Sequence, residues 1–270
     1  TTMFREQPMP RSYNWNAGFQ HEIPGGVVVH AAYVGNRGLG LVGGGDLNNM
    51  TYAQIAQYGS SLEDNVPNPY ANVVDERTSF FFGKTTVPRW ATLVDFPQFA
   101  TGNPNGGVNI RGLNIENSIY HALQLKVEKR LAQGFSFVAS YTKGKILGTG
   151  NGPYGYIGDN GGQQNWKDRS LERAIDQQDV SQWLTIATTY ELPVGKGKSL
   201  DPKNPIVKAF VANWQSNVIF ATGTGLPILV GGGNWANRSR YFGQRPDLVC
   251  DPSKNMAKTA ERWISPECFA

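Results

Sequence analysis

The sequence predicts an all-β fold, antiparallel hairpins of a transmembrane β-barrel with long outer loops, and three observations carry that prediction. Side-chain character alternates with period two in six segments, so one side of each strand is mainly apolar and the other mainly polar or small, less cleanly in the second segment and blurred by Ser216 and Ile219 in the last. The segments form three pairs with short internal connections, and the stretches between pairs are long. The composition is poor in charge and rich in glycine and aromatics: 17% charged, 32 Gly, 7 Trp and 11 Tyr in 270 residues. Roughly 25% charged is usual for a soluble domain.

In the first pair, Tyr13, Trp15, Ala17 and Phe19 alternate with Asn14, Asn16, Gly18 and Gln20. HEIPGG reads as the turn, and Val27, Val29, Ala31 and Tyr33 then alternate with Val28, His30 and Ala32. In the second, Leu123, Leu125 and Val127 alternate with Gln124, Lys126 and Glu128. After the turn LAQG, Phe135, Phe137, Ala139 and Tyr141 alternate with Ser136, Val138, Ser140 and Thr142. In the third, Leu184, Ile186, Thr188, Tyr190 and Leu192 alternate with Thr185, Ala187, Thr189 and Glu191. VGKGKSLDPKNP leads on to Trp214, Val218 and Phe220, which alternate with Gln215, Asn217 and Ala221. Each strand reads as about nine to eleven residues, enough to cross a bilayer when tilted.

The intervening stretches run from Gly35 to about Ser118, from Gly144 to about Ser181, and onward from Gly223. Short turns on one rim and long loops on the other are the outer-membrane barrel pattern. In such a barrel the apolar face meets lipid and the polar face lines the lumen. The expected lumen-facing residues are Asn14, Asn16, Gln20, Gln124, Lys126 and Glu128. The expected lipid-facing ones are Trp15, Phe19, Leu123, Leu125, Val127, Leu184 and Ile186. Aromatics near strand ends, among them Tyr33, Tyr141, Tyr190 and Trp214, read as interfacial girdles. The competing reading is a soluble sandwich whose core is the same apolar face.

Other classes find little support. The net charge of +4 is scattered rather than blocked, so no nucleic-acid partner is expected. No apolar run approaches the roughly 18 residues of a membrane-spanning helix. The opening TTMFREQPMP lacks a signal-peptide pattern, and both ends read as cuts inside a longer protein. Gly38–Gly43 spells GxGxxG, but Gly43–Gly45 sit where a nucleotide-binding helix would begin; a glycine-rich loop is the plainer reading. GKGKS at Gly195–Ser199 has Leu192 where a phosphate-binding loop needs its first glycine, and reads as a hairpin turn with solvated lysines. Lys167–Asp179 reads as a solvated outer segment or short helix. His21, His30 and His121 lack metal-ligand spacing, and no catalytic arrangement stands out, so neither enzyme activity nor a cofactor is expected. Cys250 and Cys268 are the only cysteines. An even count in an exported chain favours a disulfide over two free thiols.

Several strings, in order, resemble the Oar-like TonB-dependent transporters of Gram-negative bacteria. They are RSYNWNAGFQHEIPGGVVVHAAYVGNRG, VPNPYANVV, DFPQFATG, YHALQLKVEKRLAQGFSFVASYTKGKIL, SLERAIDQQDVSQWLTIATTYELPVGKGKSL, NWQSNVIFATGTGLPILV, RPDLVCDP and RWISPECFA. The resemblance implies that residues 1–270 are part of an outer-membrane barrel of roughly 22 strands, of which about six are present. It implies outer-membrane lipid as surroundings, uptake of a scarce ligand such as a siderophore or oligosaccharide, and drive from the TonB complex through a plug. That plug and any N-terminal carboxypeptidase-regulatory-like domain lie outside this sequence. A secreted or surface β-rich adhesin or carbohydrate-binding module is the alternative. A dinucleotide enzyme, the second rival, would need substantial helix.

Overall fold

A period of two in side-chain character commits a segment to the pleated strand, and apolar, aromatic and β-branched residues make that strand favourable. The computed structural model describes residues 7–48, 50–71, 73, 79–101, 107–150, 169–228, 230, 246–254, 258–259 and 262–269. In chain order its regular elements are β1 (Arg11–Ile23), β2 (Val27–Asp46), α1 (Tyr52–Tyr58), β3 (Asn65–Pro67), β4 (Thr86–Pro88), α2 (Arg89–Leu93), β5 (Asn109–Ala132), β6 (Phe135–Gly148), β7 (Ala174–Ile175), β8 (Gln182–Glu191), α3 (Pro205–Val211) and β9 (Gln215–Gly223). The main sheet runs β1-β2-β5-β6-β8-β9, with β7 added to the end of β6, and every pairing is antiparallel. Strands follow chain order across the sheet, the up-and-down connectivity that barrels use.

The hairpin turns are tighter than HEIPGG and LAQG imply. His21, Glu22 and Ile23 belong to β1, and Ile23 pairs directly with Val27. Gly25 and Gly26, with φ of 95° and 68°, carry the reversal. Ala132 pairs with Phe135, leaving Gln133 and Gly134 as a two-residue loop with φ of 54° and 78°. Two positive φ values match the right-handed twist of the flanking strands.

The strands also exceed the expected length. β2 has 20 residues and β5 has 24, about twice what a tilted crossing needs. The GxGxxG run is part of β2, paired with β5 through several bulges, and is not a loop. Gly40 takes φ of 63° at the bulges. A Cβ on Gly43 would collide with the Glu116 carboxylate, so glycine there permits close approach of β5, not of a phosphate.

The long connection after β2 is shorter than Gly35–Ser118 and has regular structure. The described residues between 47 and 108 form a small unit on the β2–β5 extension, closed at its base by Leu47 N–H donating to the Val108 carbonyl at 2.9 Å. Met50, Ile55, Leu62, Phe81, Val87, Trp90, Ala91, Val94 and Ala100 make its core. A reciprocal cap starts α1: Gln54 N–H donates to Thr51 Oγ1 (3.2 Å) and Thr51 N–H to Gln54 Oε1 (2.8 Å). Asn68 is buried and ties its own turn to the turn around residues 81–84. Its Nδ2 donates to the carbonyls of Phe81 (2.9 Å) and Lys84 (2.8 Å), and its Oδ1 accepts from Tyr70 N–H (2.9 Å).

Within Lys167–Asp179, residues 167–168 lie outside the described ones. Arg169–Glu172 form a short 3-10 turn and β7 follows. Asp179 is buried rather than solvated: its Oδ1 accepts from Ile146 N–H at 2.7 Å.

Candidate functional site

The register divides the main sheet into two faces of opposite character. Rows of directly paired residues are Trp15–Gly35–His121–Lys145, Ala17–Tyr33–Leu123–Lys143–Gln182, Phe19–Ala31–Leu125–Tyr141–Leu184–Thr222 and His21–Val29–Val127–Ala139–Ile186–Phe220. Trp15, Phe19, Leu123, Leu125, Val127, Leu184 and Ile186 therefore share one face. Asn14, Asn16, Gln20, Gln124, Lys126 and Glu128 share the other, with Asn36, His30, Ser140, Thr142 and Thr185.

None of the described residues forms a layer over the apolar face. Among the described residues the buried hydrophobic cluster lies in the 47–108 unit, whereas Phe19 is 66%, Leu123 45% and Phe220 52% exposed. A soluble sandwich would bury this face first. Along β5 the band runs between His121 and Lys129, eight residues apart. At about 3.4 Å per residue and a tilt near 40°, that is about 20 Å of height, close to the apolar band of an outer-membrane barrel.

Aromatics lie at both edges of the band, but Phe19 and Tyr141 fall in its middle row with Leu125, so Tyr141 is not at a strand end as the sequence suggests. At one edge Trp15 Nε1 donates to Tyr33 Oη (3.3 Å), and Tyr33 Oη lies 2.6 Å from His121 Nδ1 with the two rings stacked. The Trp15 indole lies across Gly35, where any Cβ would overlap it. Gly35→Val is expected to displace the indole at a cost of about 1–3 kcal/mol, read as a lower melting temperature of the purified barrel; unchanged melting would contradict this packing. At the other edge sit Phe135, Phe137 and Tyr190. Tyrosines aside, ionisable side chains on this face in the paired rows are cationic or histidine: Arg11, His21, Arg37, His121, Lys129, Lys143 and Lys145.

The polar face carries networks of short side chains. Asn36 Nδ2 donates to Asn14 Oδ1 (2.6 Å) and Ser12 Oγ (2.9 Å), and Thr189 Oγ1 donates to Asn217 Oδ1 (2.9 Å). Gln20, Val28, His30, Lys126 and Glu128 line an open groove of about 280 Å³ near the short-turn rim. Lys126 Nζ and Glu128 Oε2 pair across it at 2.5 Å. The groove thus joins three of the residues expected in the lumen, and Gln124 lies one row away. Asn14 and Asn16 lie nearer the long-loop rim, and Asn14 belongs to the amide network instead. Trp183, absent from both sets, lies on this face over Gly223, its Nε1 donating to Thr185 Oγ1 at 3.0 Å.

A family model described as an outer membrane beta barrel domain matches residues 1–270. The chain belongs to the outer membrane beta barrel domain family. No curated protein matches the chain, and no solved structure does. Membership places this barrel domain in the outer membrane and explains a sheet with two differently dressed faces.

The barrel domain's two cysteines are joined. Cys250 and Cys268 form a disulfide with Cα atoms 4.8 Å apart, and Val249 N–H donates to the Cys268 carbonyl at 2.9 Å. Asp251 beside it accepts from the backbone N–H (2.9 Å) and hydroxyl (2.8 Å) of Ser253, which hold its carboxyl below the usual carboxylate range. A depressed value in the folded loop means stabilisation that is present above the unfolded carboxyl's value and lost as pH falls through the folded one. Amide exchange at Ser253 is accordingly expected to lose protection only in strong acid; protection independent of pH would contradict the turn.

Proposed function

We propose that this domain supplies wall strands and outer loops of a TonB-dependent transporter, taking up a scarce ligand such as a siderophore or oligosaccharide. One observation carries the reading: a polar, hydrogen-bonding sheet face beneath a folded outer unit, with an apolar, aromatic-edged face behind it. On this reading the polar face, with Asn14, Asn16, Gln20, Gln124, Lys126 and Glu128, lines a lumen. The apolar face, with Trp15, Phe19, Leu123, Leu125, Val127, Leu184 and Ile186, meets lipid. Among the described residues β1 and β9 are each paired on one side only, edges that lipid does not tolerate, so on this reading further strands complete the ring. A parent of roughly 22 strands would enclose a lumen wide enough for a plug. The lumen face offers amides, hydroxyls and a mixed ion pair, which suits a polar cargo handed along by many weak contacts rather than one fixed charge.

The test is uptake by whole cells of labelled siderophores and oligosaccharides. Loss of uptake of one cargo on deleting the gene, with equal loss on removing the inner-membrane TonB complex, is the expected result. A full-length protein in the outer membrane on which no cargo and no TonB dependence rests would overturn transport and favour a surface adhesin.

A further inference from the structure

The β8–β9 connection at the short-turn rim is unlike the other two hairpin turns. It spans residues 192–214 and contains α3, whereas the others are three and two residues long. Asn204 caps α3 by accepting from Ile206 and Val207 N–H, and Pro205 begins the helix. With 3.6 residues per turn, Ile206, Val207, Phe210 and Val211 fall on one side of α3, and Lys208 and Ala209 on the other. That apolar side is bare: Ile206 is 68% and Phe210 74% exposed.

One contact fixes where this helix lies. Leu192 N–H donates to the Trp214 carbonyl, extending the β8–β9 ladder by one pair, so Trp214 falls on the apolar face with Val218 and Phe220. Trp214 Nε1 donates to the Phe210 carbonyl at 2.7 Å, which draws the end of α3 to that same face. Asn213, with φ of 61°, makes the turn between them. The connection carries Lys196, Lys198, Lys203 and Lys208 against Asp201, a net of three positive charges (four minus one). Lys208 pairs with Asp201 at 2.5 Å and Lys198 with Glu191 at 3.6 Å.

We propose that α3 and Trp214 form an interfacial foot. Ile206, Phe210 and Trp214 enter the headgroup–acyl boundary of the inner leaflet of the outer membrane, and the lysines of the connection face anionic phospholipid headgroups. The foot rests on the apolar face being the lipid face, since it continues that face past the rim. An amphipathic helix with exposed bulky apolar residues and a cationic surround lies in the interface plane, its apolar side about 5–10 Å into the boundary. Trp at such a boundary keeps its ring in apolar surroundings and its N–H bonded.

The experiment uses the full-length protein reconstituted in phosphatidylethanolamine–phosphatidylglycerol vesicles. Single cysteines replacing Ile206, Lys208, Phe210 or Leu125 carry an environment-sensitive fluorophore, and nitroxide-bearing lipids serve as quenchers. The foot predicts blue-shifted emission from Phe210→Cys and Ile206→Cys, with stronger quenching by shallow than by deep nitroxide lipids. It predicts no blue shift at Lys208→Cys, whose label faces the headgroups and water, and at Leu125→Cys stronger quenching by the deep lipids. Labels at 206 and 210 that lipid does not quench, while Leu125→Cys is quenched, overturn the foot, whether those sites face water or protein. An unquenched Leu125→Cys overturns the lipid-face reading itself, and the foot with it.

Discussion

Leu125→Arg is expected to destabilise the folded barrel by about 2–4 kcal/mol, the depth-dependent cost of a charged side chain facing lipid near the midplane. Leu125 lies midway between His121 and Lys129 on β5, opposite Ala31 and Tyr141, so no polar neighbour in its row is available to an arginine head except the Tyr141 hydroxyl. That hydroxyl already donates to Gln182 Oε1 at 2.8 Å. Lys126→Leu, one residue on, removes a charge from the polar face and breaks the pair with Glu128. An exposed pair contributes only about 0–1 kcal/mol, so its loss costs far less. Folding of the full-length protein into vesicles across a urea series checks the order. Equal costs, or a larger cost for Lys126→Leu, would contradict the facing.

Phe81→Ala is expected to unfold the outer 47–108 unit while sparing the sheet. Phe81 is 1% exposed, meets Tyr70 edge-on at 4.9 Å between centroids and Phe80 at 5.5 Å, and its carbonyl is held by Asn68. Truncating a buried Phe costs about 3–5 kcal/mol. Among the described residues the unit's core is nine buried ones, a small core for such a loss. External protease on intact cells should cut within residues 50–100 of the variant and not of the parent, with the boiled-versus-unboiled gel shift of the barrel retained. Equal resistance to protease would show that Phe81 does not hold the unit. Loss of the gel shift would show that the unit and the wall are one cooperative body.

The wall was legible because a strand's two faces are written every second residue. Asn14 against Trp15, and Lys126 against Leu125, separated the two sets before any pairing was known, and the register keeps each set together. Strand ends were not legible. Glycines in GLGLVGGG read as a loop, yet Gly43 extends the strand because Glu116 crowds against it, a contact between residues 73 positions apart. The outer unit stayed hidden because its apolar residues follow no single period. Its one local sign was the Thr51–Gln54 spacing of a capping box. α3 was hidden too, inside a stretch that reads as a plain connection: Asn204 followed by Pro205 is a helix-start signal, but the side its apolar residues take is set by a hydrogen bond from Trp214. Pattern reading also missed Trp183, whose ring sits on the polar face because Gly223 leaves room for it.

The most direct test of the account is a cysteine scan of β5 from Leu123 to Glu128 in the full-length protein in vesicles, each site labelled and exposed in turn to lipid-borne and water-borne quenchers. The account predicts strict alternation: lipid-borne quenching at Leu123, Leu125 and Val127, and water-borne quenching at Gln124, Lys126 and Glu128. Alternation of the opposite phase, or water-borne quenching at all six positions, would contradict it.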